Sequence, residues 1–125
     1  MEHDPQTRFG QFIMANLRDR AIEHHDLLAK GHWKAPSLQR LQRDLNALNK
    51  KQLSIVRRCV VSAVDAGIHD FLFALQELAE SEDDIQVLVQ GENIGKTSDG
   101  LHGELFSDEG WYARFSAYGK PPEEA

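Results

Sequence analysis

From Phe9 to Ala79 the apolar residues recur at three- and four-residue steps, the period of a helix that buries one stripe. Phe9, Phe12, Ile13, Leu17, Ala21, Leu27 and Leu28 mark the first stripe. Asp4-Pro5 opens it with a capping carboxylate followed by a proline that forfeits no helical hydrogen bond, and Gly31 closes it. The spacing predicts a helix over 6–30. After a break at 31–36, Ser37 offers a cap for a second helix whose Leu38, Leu41, Leu45 and Leu48 follow a 3-4-3 spacing.

A third pattern starts at Leu53, Val56, Val60, Ala63 and Val64 and continues without a phase slip through Gly67 to Ile68, Phe71, Leu72, Leu75, Leu78 and Ala79. One long helix over 51–80 follows, apolar on more than one side and therefore expected at the centre of the fold, with Phe71 and Leu75 in its core face. A glycine inside it is tolerated best where another backbone comes close.

Beyond Ser81 the pattern changes. Ile85, Val87 and Val89 alternate with Gln86, Leu88 and Gln90 ahead of Gly91, which predicts a strand. Segments 101–106 and 111–118 are two more, joined by the turn residues Ser107-Asp108-Glu109-Gly110. The expected fold is a single α+β domain over 1–125. Its three-helix N-terminal part spans 5–80 and holds the long central helix; a small three-stranded antiparallel β-meander spans 85–118, and a frayed tail occupies 119–125.

At 125 residues such a chain buries a core without staples. Its lone cysteine, Cys59, excludes an internal disulfide and a cysteine-based metal cluster, and reads as a small buried apolar side chain. No run reaches the roughly 18 consecutive apolar residues of a membrane span, and the first residues are acidic where a signal peptide is basic. A cytoplasmic protein with no membrane partner is the expectation.

Charge adds a feature that the pattern does not show. Residues 30–58 carry eight bases and one acid, +7; residues 65–125 carry fourteen acids and three bases, −11; residues 1–29 add −2, for a net of −6. The halves attract each other within one molecule or between two, which leaves a homo-oligomer open, or they serve different partners.

Candidate chemistry fails motif by motif. The stretch 91–97 has two glycines and a Lys-Thr like a phosphate loop, but three residues separate the glycines where four are needed, and a turn follows in place of a helix. His102-Gly103-Glu104 is half of a zinc-deaminase signature, and the single cysteine rules out the other half. No serine sits in a nucleophile elbow. His69, Asp70, His102 and Glu104 are the residues that would serve a metal-dependent enzyme if helix and strand converge, although their spacing matches no metal motif. The basic segment 30–58 with Trp33 would suit nucleic acid, against the acidic whole.

What remains is a small soluble protein-binding module rather than an enzyme, an inhibitor or immunity-type factor for a basic partner, with no cofactor. Its expected docking residues are Glu77, Glu80, Glu82, Asp83, Asp84, Asp108 and Glu109. Metal-dependent catalysis and nucleic-acid binding are the alternatives.

Overall fold

The computed structural model describes residues 4–80, 85–97 and 100–121. The expected start is present: Oδ1 of Asp4 accepts from the backbone N–H of Thr7 at 2.9 Å and caps α1, Pro5–Ile13. The same rod continues through a π-helical turn, Met14–Arg18, into α2, Asp19–Ala29. Two side chains, Gln39 and Gln42, fix the following break by donating to the Trp33 carbonyl, each at 2.8 Å. Helix α3, Pro36–Asn46, starts one residue before the expected cap, with Pro36 in its first turn.

Helix α4, Lys50–Glu80, is unbroken across Gly67, as its phase predicts. It buries Val61, Asp65, Ile68, Leu72 and Leu75 at alternating four- and three-residue steps, a single line down one side. The rest is more open than a central helix should be. Phe71 is 46% exposed and Cys59 lies at the surface, so neither is the core residue its sequence context suggests. A Cβ added at Gly67 would meet nothing within 4 Å, so no neighbouring backbone accounts for that glycine. By length and composition this helix is apolar enough to cross a membrane, with 28% of the relevant window buried.

The three-stranded meander is overturned. Helical segments hold 71% of the described residues, and the sheet is one antiparallel pair, β1 (Leu88–Val89) and β2 (Glu92–Asn93), with Val89 opposite Glu92. Gln90 and Gly91 both take positive φ between the strands, the tight-hairpin geometry that the right-handed strand twist favours. With no third strand among the described residues to pair with, the expected strand 85–90 shrinks to Leu88–Val89. Short helix α5, Ile94–Thr97, follows directly. Segment 101–106 forms a 3₁₀ turn, Leu101–Glu104, and segment 111–118 forms α6, Trp111–Phe115. Their buried residues are Leu101 and Leu105, four apart, then Trp111 and Tyr112, and Phe115 packs alongside. That is helical spacing in short pieces, where aromatic content and the turn residues between them suggested strands.

The core joins these pieces to the first helix and the C-terminal half of α4. Phe9, Ile13 and Met14 pack with Ile68, Leu72, Leu75, Ile94, Leu101, Leu105, Trp111 and Tyr112. Gly10 allows the closest approach: a Cβ there would sit 2.5 Å from the Trp111 indole.

Candidate functional site

The π-helical turn decides what enters the interior next. It winds in one extra residue, so after Ile13 the buried positions become Met14, Arg18, Ile22, His25 and Leu28, while Leu17 turns outward. Arg18 is thereby carried into the protein at 1% exposure. Its Nε and Nη2 donate to the two carboxylate oxygens of Asp65 on α4 at 2.7 and 3.2 Å, and Nη1 donates to Ser116 Oγ and to the Gly119 carbonyl. The guanidinium also lies over the Tyr112 ring, 4.3 Å from its centroid. Burial, and after it the Asp65 charge, pushes the Tyr112 hydroxyl far above its ordinary range. That hydroxyl is buried without a hydrogen-bond partner.

Above this ion pair lies a cavity of about 420 Å³ between α2, α4 and the segment that follows α6. Its walls include Arg57, Arg58, His69, Asp70, Phe106, Tyr118 and Lys120. Most of its charges are already matched. Arg57 holds Asp26 through two hydrogen bonds at 2.9 and 3.1 Å, and Lys120 holds Asp108 at 2.6 Å. Burial raises the Asp26 pKa, but the hydrogen bonds from Arg57 and His25 outweigh it and hold the carboxyl below its usual value. His69 Nδ1 lies 3.1 Å from Asp70 Oδ1. Arg18, Arg57, Arg58 and Lys120 set against Asp26, Asp65, Asp70 and Asp108 give four charges of each sign, so the cavity and its ion-pair partners are neutral. The Phe106 ring, half exposed, and the Tyr118 ring give it an aromatic rim.

The four residues named for a metal-dependent enzyme meet only in part. His69 and His102 are in edge contact with ring centroids 5.1 Å apart, His102 also abuts Phe73, and its Nδ1 is buried without a partner. His69 and Asp70 line the cavity, whereas His102 and the exposed Glu104 do not. Among the described residues no three His, Cys, Asp or Glu side chains gather within reach of one ion.

The expected acidic surface is placed in part too. Glu77, Asp108 and Glu109 are exposed, with Asp108 on the cavity rim through Lys120. Glu80 closes α4, and Glu82, Asp83 and Asp84 lie outside the described residues. Trp33, the aromatic of the basic segment, is half-buried against His24 and His32.

Periodicity did not reveal Arg18, Tyr112, Ser116 or Tyr118 as site residues. The one available signal was an arginine next to Leu17 on an otherwise apolar stripe. Comparison with protein families, with curated proteins and with solved structures finds no match for this chain.

Proposed function

We propose that the protein is a small protein-binding module whose cavity receives an apolar or aromatic side chain of a basic partner, in the manner of a stoichiometric inhibitor or immunity-type factor. The observation that carries this reading is an aromatic-rimmed cavity, built in part from the acidic segment 65–125, in which Arg18, Arg57 and Lys120 are already ion-paired with Asp65, Asp26 and Asp108. With three of the four bases in the lining held by carboxylates of the same chain, little charge is left for a charged substrate, and exposed rings at the mouth favour an inserted side chain. Glu77 and Glu109, with the other acids of residues 65–125, would draw a basic partner towards that mouth without adding much to the final affinity.

Two variants separate the parts of this reading. A partner captured from lysate is purified and its kinetics with the wild type are measured. Phe106→Ala is expected to raise the dissociation rate at least about tenfold with little change in association. Glu77→Gln with Glu109→Gln is expected to slow association and flatten its salt dependence. Neutralising Glu80, Glu82, Asp83 and Asp84 extends the second arm to the rest of the expected acidic set. A captured protein that is itself acidic, or one indifferent to Phe106→Ala, would refute the proposal.

A further inference from the structure

We propose that the segment from Ser116 to Pro121 is a gate on the cavity, hinged at the end of α6 and latched by Arg18. Tyr118, Lys120 and Pro121 line the cavity, so lifting this segment removes one of its walls. None of its six residues is buried, and the apolar packing along the chain stops at Phe115, just before it. The segment is held by polar groups from elsewhere in the sequence. Ser116 Oγ accepts from Arg18 Nη1 at 2.8 Å and donates to Asp19 Oδ1 at 2.6 Å, and the Ala117 N–H donates to Asp19 Oδ2 at 2.9 Å. Arg18 Nη1 also donates to the Gly119 carbonyl, Lys120 Nζ donates to Asp108, and the Arg57 guanidinium lies 5.7 Å from the Tyr118 ring centroid. Bonds of this kind at part-exposed positions exchange for water at small cost, which places the segment at the low-stability end of the fold.

The latch can release without unpairing a buried charge. Arg18 binds the Asp65 carboxylate through Nε and Nη2, and the segment through Nη1 alone. On opening, the guanidinium keeps Asp65, Arg57 keeps Asp26, and Nη1, sealed in the closed state at 1% exposure, becomes a donor inside the site. The backbone supplies the bending points. Ser116, which ends α6, is extended at φ −88° and ψ 136°, and Gly119 sits at φ +69°, a conformation that glycine leaves and re-enters at little cost. Between them the Gly119 N–H donates to the Ser116 carbonyl at 3.2 Å, so the turn moves as a unit. On the reading that the cavity receives a partner's side chain, on which this role rests, the gate sets how fast that side chain enters and leaves.

Amide hydrogen exchange followed by NMR separates a gate from a fixed wall. In the wild type the Gly119 N–H is expected to exchange at least about a hundredfold faster than that of Leu72 in α4, at a rate insensitive to dilute urea because opening exposes little surface. Asp19→Ala cuts two anchors of the segment and should speed exchange at Gly119, whose own bond to Ser116 it does not touch, by about tenfold, leaving Leu72 unchanged. Ser116→Ala cuts the segment's bonds to Arg18 and Asp19 from the other side and should act alike. A fluoroindole followed by fluorine NMR reports access: in Asp19→Ala its association and dissociation rates should rise together by at least about threefold, with the dissociation constant within about twofold of wild type. Exchange at Gly119 that matches Leu72 in rate and urea dependence, or a variant that weakens fluoroindole binding without changing its association rate, would overturn the gate. Fluoroindole that does not bind at all would count against the cavity as a site for an aromatic side chain, and the exchange comparison would still decide the gate.

Discussion

Arg18 and Asp65, 47 residues apart in sequence, close a buried two-point ion pair that ties the first helical rod to the middle of α4. Breaking such a pair from one side leaves a charge in the interior, and that is costlier than never having had the pair. Asp65→Ala is expected to lose about 3–5 kcal/mol of unfolding free energy. Replacing both residues, Arg18→Met with Asp65→Leu, should lose less than the sum of the single changes. Urea denaturation of the four-member cycle measures the coupling.

The alkaline limb of stability should belong largely to Tyr112. Its folded pKa stands above the ordinary value of 10.0, so on raising pH the unfolded chain loses its phenolic proton first and the unfolded state is favoured. Stability is expected to be flat in this respect below about pH 10 and to fall above it. In Tyr112→Phe the fall should be shallower; the remainder includes Tyr118, whose pKa burial also raises. Urea midpoints between neutral and strongly alkaline pH would show it, and an identical slope in the variant would contradict it.

At the acid end the same linkage runs through Asp26. Its folded pKa lies below 3.8, so its stabilisation is present above the unfolded value and is lost as pH falls through the folded one. Asp26→Asn should remove part of the acid-induced loss. It should also free Arg57, now 5.7 Å from the Tyr118 ring centroid, and shift the Tyr118 titration, readable by ultraviolet absorbance.

Gly10 and Gly67 should respond to alanine with opposite signs. At Gly10 the new methyl meets the Trp111 ring, and a loss of about 1–3 kcal/mol is expected from overpacking. At Gly67 the methyl meets nothing, and a gain of about 0.5–1 kcal/mol is expected from helix propensity. Chemical denaturation of both variants is sufficient.

Leu75 and Phe71 separate the buried line of α4 from its open flank. Leu75→Ala should cost about 2–5 kcal/mol as a core truncation. Phe71→Ala, at a half-exposed site, should cost less than about 1.5 kcal/mol.

Much of the helical part was legible because a period near 3.6 survives over long windows: α4 and the capped start at Asp4 both follow from spacing. The first helix shows where that reasoning stops. Leu17 fits the regular period yet faces solvent, because a π turn shifts the phase by one residue and buries Arg18 instead. The C-terminal third fails for a different reason. Pieces of four and five residues, such as 101–104 and 111–115, are too short for any period to emerge, and β propensity then misleads. The cavity was illegible for both reasons together: it needs the shifted Arg18 and the segment beyond α6, which Arg18 holds through Ser116 and Gly119.

The one extra residue wound into the first rod also gives the molecule two interiors of different character. On the near side of the turn the filling is carbon against carbon, from Phe9 to Trp111. On the far side polar groups are mixed in, with Arg18 buried on Asp65 beside Ile22, Leu28, Leu45 and Val61, and the part-exposed pair of Arg57 on Asp26 at its edge. Guanidinium screens charge as well as solvating apolar groups, so relative to urea it weakens the second end more than the first, and the order in which the two ends open becomes a property of the solvent.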